Sequence, residues 1–195
     1  ALPAHSLLAA AETGLPVLVP CAACFSRLKF AVHELEDEHT RQQVSRALGR
    51  EIGELTPVLH PLQVMAEAEI PVKKPLAGLK VACYYGCLLV RPKGVTKFDD
   101  IENPQSMDRL MRAVGAEPVS WGFKTECCGA GMSLARRDMV LRLSHRILAQ
   151  ARQAGAEAVV TACPMCQSNL DLYQREMAAQ FGDEVNLPVF YFTQL

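Results

Sequence analysis

Eight cysteines are the residues of this sequence best equipped for chemistry, and five of them fall into one pattern. Cys87, Cys127, Cys128, Cys163 and Cys166 give C-x39-C-C-G-x33-C-x-x-C. Thiolates so arranged bind metal. In a C-x-x-C at a helix start, residues i and i+3 share a face, so Cys163 and Cys166 can address one centre. The free N–H groups and partial positive charge of a helix N-terminus favour thiolate over thiol. The adjacent pair Cys127 and Cys128 is poorly suited to a disulfide, whereas neighbouring thiolates can serve one polynuclear cluster. Gly129 and Gly131 are expected to let the backbone pass close to bound sulfide and to offer it N–H donors. A mononuclear zinc site wants four tetrahedral ligands, fewer than this set provides, and the compact cysteine run of bacterial ferredoxins is absent. Structural zinc and buried free thiols stand as the competing readings.

The remaining candidates are weaker. Cys21-Ala-Ala-Cys24 is a second C-x-x-C, a common motif that fits zinc or a site completed by a partner as well as it fits a cluster. Cys83 reads as a buried strand residue. Arg91, Lys93 and Lys97 follow Cys87 and read as a solvated loop face, the alternative being attraction of an anionic coenzyme. His5, His33, His39, His60 and His145 have no ligand spacing and read as solvent-facing or capping residues. Met132 and Met165 flank cysteines and read as apolar shielding.

Composition sets the frame. A chain of 195 residues, half of them apolar, can bury a core. Lys plus Arg is 20 and Asp plus Glu is 21, so no basic excess points to nucleic acid. Eight cysteines are about 4% of the residues, short of the ~8 to 10% of disulfide scaffolds, so metal or catalytic use is favoured. No apolar run reaches the ~18 to 20 residues of a membrane span; the stretch from Leu15 to Cys24 is short and broken by Pro16 and Pro20. With no visible export signal, the expectation is a soluble, cytoplasmic protein without a direct membrane span.

The elements that must position the cysteines alternate between strands and helices, which implies α/β layers. A short helix over Leu7 to Thr13 ends at Gly14, Leu15 to Pro20 reads as a strand, and one long helix is expected over Phe25 to Leu48. Ile70 to Leu79 reads as a linker. Strands are expected at Leu79 to Tyr85, Pro118 to Trp121, Glu157 to Ala162 and Pro188 to Phe192. Helices are expected at Pro104 to Val114, from Ser133 or Arg137 to Ala154, and from Cys163 to about Phe181, with a loop over Gly94 to Pro104.

The chain also echoes itself. Gly14 to Leu28 parallels Gly155 to Leu170 down to a shared C-x-x-C-x-S-x-L, and Pro57-Val-Leu-His-Pro-Leu-Gln63 parallels Pro188-Val-Phe-Tyr-Phe-Thr-Gln194. The region from Leu79 to Arg136 has no earlier counterpart, so two related units are expected, at 1–74 and 75–195, the first lacking its leading half.

Val81-Ala-Cys-Tyr-Tyr-Gly-Cys-Leu-Leu-Val-Arg-Pro92, Glu126-Cys-Cys-Gly129 and Thr161-Ala-Cys-Pro-Met-Cys166 resemble the second cysteine-rich CCG domain of the heterodisulfide reductase B-subunit family. The likeness covers Lys80 to Leu195 well, while Ala1 to Val64 resembles only the later part of that family's first CCG domain. The resemblance implies a non-cubane assembly of two fused 4Fe-4S units on Cys87, Cys127, Cys128, Cys163 and Cys166. Cys21 and Cys24 match the last two ligands of a second assembly whose three other ligands are not in this sequence. It further implies a catalytic subunit that reduces a disulfide of thiol coenzymes, partnered by iron-sulfur or flavin subunits. An electron-relay subunit without its own disulfide substrate is the alternative, because CCG domains also resemble parts of quinone-linked, hydroxyacid-oxidising and sulfur-oxidising complexes.

Overall fold

Helix α1 (Leu2–Ala11) buries Ala4, Leu7 and Leu8, and strand β1 (Val17–Leu18) runs into helix α2 (Ala22–Glu34) through Cys21. This computed structural model describes residues 2–195. Where one helix was expected over Phe25 to Leu48, the structure has two, because Asp37 caps the start of helix α3 (Glu38–Leu48) by accepting from the Thr40 N–H at 2.7 Å. Strand β2 (Val58–Leu59) and helix α4 (Pro61–Glu67) complete this part of the chain.

Strand β3 (Lys80–Tyr84) delivers Cys87 at the start of the one-turn helix α5 (Cys87–Val90). Part of the expected 94–104 loop is a further turn, helix α6 (Lys93–Thr96), closed by the Thr96 hydroxyl on the Pro92 carbonyl. Helix α7 (Ser106–Ala113), strand β4 (Glu117–Pro118), a 3-10 turn at Ala130–Met132 and helix α8 (Arg137–Gln153) follow. Strand β5 (Ala158–Thr161) then leads into helix α9 (Pro164–Leu172), helix α10 (Gln174–Phe181) and strand β6 (Val189–Tyr191). The single helix expected from Cys163 to Phe181 is interrupted at Tyr173. There the Gln174 amide bonds both the N–H and the carbonyl of Leu187, tying the start of α10 to the segment before β6.

The fold is α/β with parallel pairing throughout. One four-stranded sheet has the order β4-β3-β5-β6, and β1 and β2 form a separate parallel pair. Val81 to Tyr84 and Ala158 to Thr161 are buried at every position, as strands covered on both faces must be. The chain leaves β3 toward β4 on one side and returns to β5 on the other, so the strand order reverses between β3 and β5. Open parallel sheets gather their ligands at the carboxyl ends of strands at such a reversal. Cys87 and Cys163 leave those two ends.

The sequence echo is a structural one. Val17 pairs Val58 and Leu18 pairs Leu59 in β1–β2, while Val159 pairs Val189 and Val160 pairs Phe190 in β5–β6. With Cys21 matched to Cys163, these are the same positions in the same register. Gln63 caps the His60 N–H at 2.9 Å as Gln194 caps the Tyr191 N–H at 2.7 Å. The two copies also hold each other. His60 Nε2 reaches the carbonyl of Ala162, next to Cys163, at 3.0 Å, and the Tyr191 hydroxyl reaches the carbonyl of Pro20, next to Cys21, at 2.9 Å. Leu7, Val19, Phe25, Val58 and Leu62 share one buried cluster with Val81, Leu148 and Phe192, and a smaller satellite gathers Ala4, Leu8, Leu35 and Ile52.

Candidate metal centre

Cys87, Cys127, Cys128, Cys163 and Cys166 all line one cavity of about 390 Å³, together with Ala22, Ser26 and Phe30 of α2, Leu88 and Met165. Three separate segments deliver them. The first leaves β3, where Gly86 has a φ of 70° and a ψ of 178°, conformational space that is essentially glycine's own. A Cβ there would lie 3.4 Å from Cys166 Sγ and 3.6 Å from the Tyr84 hydroxyl. Those are ordinary contacts, so it is the backbone conformation, not crowding, that calls for glycine where the chain turns beside the thiols. Gly129 and Gly131, on which the expectation placed the passage of backbone beside the sulfurs, also stand at the site: the Gly129 N–H donates to Cys127 Sγ at 3.3 Å, and Gly131 lines the cavity. Gly129, at φ 80°, brings its loop onto Val140 and Leu143 of α8, and Gly131 has open space where a Cβ would stand.

The second segment, Lys124 to Gly129, is stitched to the end of β3. The Lys124 carbonyl accepts from the N–H groups of Tyr85 and Gly86, the Tyr84 hydroxyl donates to the Glu126 carbonyl at 2.7 Å, and Arg91 reaches Thr125. Beneath it lies a buried ion pair. Lys124 Nζ donates to Asp108 at 2.8 Å and to the Pro104 carbonyl, and the Tyr85 hydroxyl donates to the other Asp108 oxygen. These buried groups satisfy one another, which orders the loop carrying Cys127 and Cys128. Asn169 bonds the Cys128 carbonyl at 3.4 Å and approaches its sulfur at 3.8 Å.

The third segment is the C-x-x-C at the start of α9. Cys163 is the N-cap residue and Pro164 occupies the first turn, where its missing N–H costs nothing. The sulfurs of Cys128 and Cys166 are 3.3 Å apart. Hydrogen bonding from Cys166 and Cys21, joined by the N–H groups of Cys166 and Met165, holds the Cys163 thiol far below its usual pKa. Contact with Cys87 and the Gly129 N–H, 3.3 Å away, brings Cys127 down to about 6, and contact with Cys166 and the Ala130 N–H lowers Cys128. Their neighbours Cys87 and Cys166 move the other way, through those same sulfur contacts and burial. Three of the five are thus shifted toward the thiolate, the form that binds metal.

Among the described residues, no group of three or more His, Cys, Asp or Glu side chains has the geometry of a site for a single metal ion. The cavity is many times the ~30 Å³ of one water and has room for a polynuclear group. Five converging soft sulfurs fit iron and sulfide by donor chemistry.

Cys21 sits against Cys163, which with burial drives its own pKa up, and it does not line the cavity; Cys24 is exposed. Cys83 is a buried residue of β3 whose carbonyl takes the Trp121 indole N–H. Arg91 pairs with Glu102, while Lys93 and Lys97 are exposed. Met165 lines the cavity; Met132 lies outside its lining. His60 is a capping residue of α4, but it acts from full burial rather than from solvent: Nδ1 accepts from the Leu62 N–H and Nε2 faces Ala162. Ser26, Tyr84, Tyr85, Lys124 and Asn169 carried no expectation. The one available signal was the serine two residues beyond each C-x-x-C in the repeat.

The CCG cysteine-rich domain pattern matches residues 81–171. The chain is 33% identical to the 8-methylmenaquinol:fumarate reductase membrane anchor subunit of Wolinella succinogenes, over 98% of this chain and 70% of that protein. It is 30% identical to the B subunit of the ferredoxin/F(420)H(2)-dependent CoB-CoM heterodisulfide reductase of Methanosarcina acetivorans, over 100% of this chain and 69% of that protein. The chain belongs to the family of CCG-domain proteins that includes this heterodisulfide reductase polypeptide. A crystal structure of a hypothetical protein from Helicobacter pylori shares the fold, with a TM-score of 0.79 at 10% identity over 98% of this chain. This chain spans 36% of that one. Among the described residues, no helix is long and apolar enough to cross a membrane.

Proposed function

We propose that this chain is the cysteine-cluster subunit of a heterodisulfide reductase-type complex and that Cys87, Cys127, Cys128, Cys163 and Cys166 hold a non-cubane iron-sulfur assembly. The observation that carries the reading is the convergence of these five thiols, from three segments, on one cavity at the carboxyl ends of β3 and β5. Within the proposal, units at 1–74 and 75–195 are the two CCG-type halves, and Cys21 and Cys24 serve a second centre when three further ligands are supplied. Eight free cysteines suit a reducing compartment such as the cytoplasm.

The reaction proposed is RSSR′ + 2e⁻ + 2H⁺ → RSH + R′SH on a disulfide of small thiol coenzymes, with the electrons delivered by an iron-sulfur or flavin subunit. Held by Cys87, Cys127, Cys128, Cys163 and Cys166, such a cluster would supply one-electron redox capacity and iron with affinity for sulfur. The chain's own residues shape the access. Leu88, Phe30 and Met165 line the cavity with apolar surface and limit water, while Cys127 stays exposed at its margin. Asn169, Tyr84 and the Lys124–Asp108 pair hold the vicinal cysteines in place.

A second reading, an electron relay with no disulfide of its own, is favoured by the kinship with the fumarate reductase polypeptide, which is named for a quinol and not for a disulfide. Reoxidation of a pre-reduced viologen dye by anaerobic protein with coenzyme disulfides separates the two. Disulfide-dependent reoxidation that disappears in Cys87→Ser supports the reductase. Reduction of the protein by the dye, with no disulfide raising turnover, supports the relay.

A further inference from the structure

Ser26 stands out among the residues around the thiol cavity. It belongs to α2, in the first repeat, yet lines the cavity formed by the cysteines of the second. It is only 2% exposed and takes part in no side-chain hydrogen bond among the described residues, and its oxygen is not one of the fully enclosed unpaired atoms, which are Arg41 Nε, Thr56 Oγ1 and His145 Nε2. A helical serine normally faces water or folds its hydroxyl back onto the carbonyl four residues earlier. The matching serine of the other repeat does both: Ser168 is exposed and its Oγ donates to the Pro164 carbonyl at 3.0 Å. Ser26 occupies the same place after its own C-x-x-C and does neither.

A nearly buried hydroxyl that makes no hydrogen bond within the protein and keeps only a trace of access has the cavity it lines as its outlet, and that cavity is lined by acceptors, the five cysteine sulfurs. We infer that Ser26 donates a hydrogen bond to a sulfur of the bound iron-sulfur group, either a cysteine thiolate or an inorganic sulfide, and thereby raises its reduction potential. The inference rests on the cluster reading proposed above. The physics is direct: reduction adds negative charge to the sulfurs, so a fixed donor stabilises the reduced state more than the oxidised one. Ser26 would thus be a positioning and tuning residue contributed by one repeat to the centre of the other. Helix α2 would then do more than wall the cavity.

The test uses anaerobically purified holoprotein, its Ser26→Ala and Ser26→Thr variants, iron and sulfide analysis, and redox titration followed by EPR. Ser26→Ala is expected to keep its iron and to lower the reduced-to-oxidised ratio at fixed potential by threefold to tenfold, at most about 59 mV for one electron. Ser26→Thr, which keeps the hydroxyl, is expected to titrate as the natural protein does. Loss of iron from Ser26→Ala alone, with Ser26→Thr intact, also supports the donor role. An unchanged potential in Ser26→Ala, an equal shift in both variants, or loss of iron from both overturns the inference and leaves the cluster standing. A natural protein without iron overturns the cluster reading itself, and the inference with it.

Discussion

His60 offers a perturbation whose size follows from the structure. The imidazole is fully buried between the repeats, against Phe25, Phe98 and Phe192. Nδ1 accepts the Leu62 N–H at 3.2 Å, so the single proton of the neutral ring sits on Nε2 and is donated to Ala162. A second proton would have to displace that cap. Burial depresses the pKa from 6.5 to about 4, against a smaller upward pull from the Ala162 carbonyl. The unfolded chain therefore takes up a proton at higher pH than the folded one. The stability associated with neutral His60 is fully present above pH 6.5 and is lost as pH falls through about 4. Proton linkage puts the loss at about 1.4 kcal/mol by pH 5.5 and about 2.5 kcal/mol by pH 4.5. His60→Phe keeps a ring in the pocket but strands the Leu62 N–H and the Ala162 carbonyl, a cost of about 2 to 4 kcal/mol at pH 7.5. Urea unfolding of both proteins at pH 7.5, 5.5 and 4.5 should show that gap narrowing by about the linkage amounts, because only the natural protein carries the titrating group. A gap of constant size across the three pH values would refute the reasoning.

Lys124→Met should lower stability by about 3 to 5 kcal/mol in denaturant unfolding, since it leaves the Asp108 carboxylate buried without its cation; a change under about 1 kcal/mol would mean that water reaches the pair. Gly86→Ala forces a side chain into glycine-only backbone space beside Cys166, at a cost of about 1 to 3 kcal/mol, and bound iron should drop while the far-ultraviolet circular dichroism stays native. Undiminished iron would show that Gly86 is not what admits the backbone there. Cys21→Ser leaves all five cavity thiols in place and should retain the iron that Cys163→Ser loses, as metal analysis of the two variants will show. Equal losses would make Cys21 a member of the same centre.

Much of the site was legible because its signals are local. The vicinal pair, the C-x-x-C at a helix start and Cys87 after a buried strand each announce a thiol at an element boundary, and parallel α/β topology brings such boundaries to one edge of the sheet. The repeat was legible as well, and β1–β2 and β5–β6 pair in matching register at its corresponding positions. What escaped depends on distant segments meeting. His60 finds Ala162 across 102 residues and Tyr191 finds Pro20 across 171, contacts that no local period encodes. Ser26 escaped for the same reason, as its significance appears only once α2 lies over the other repeat's cysteines. The break after Glu34 had a local sign in Asp37, a strong capping residue, which the helix formers on either side obscured.

Iron and acid-labile sulfide per chain, measured on anaerobically purified protein beside a Cys127→Ser/Cys163→Ser double variant, test the central claim most directly. The natural chain is expected to hold polynuclear iron with sulfide, about eight irons for two fused four-iron units at one centre, and the double variant to lose it. One zinc per chain with no sulfide, or iron that survives in the double variant, would contradict it.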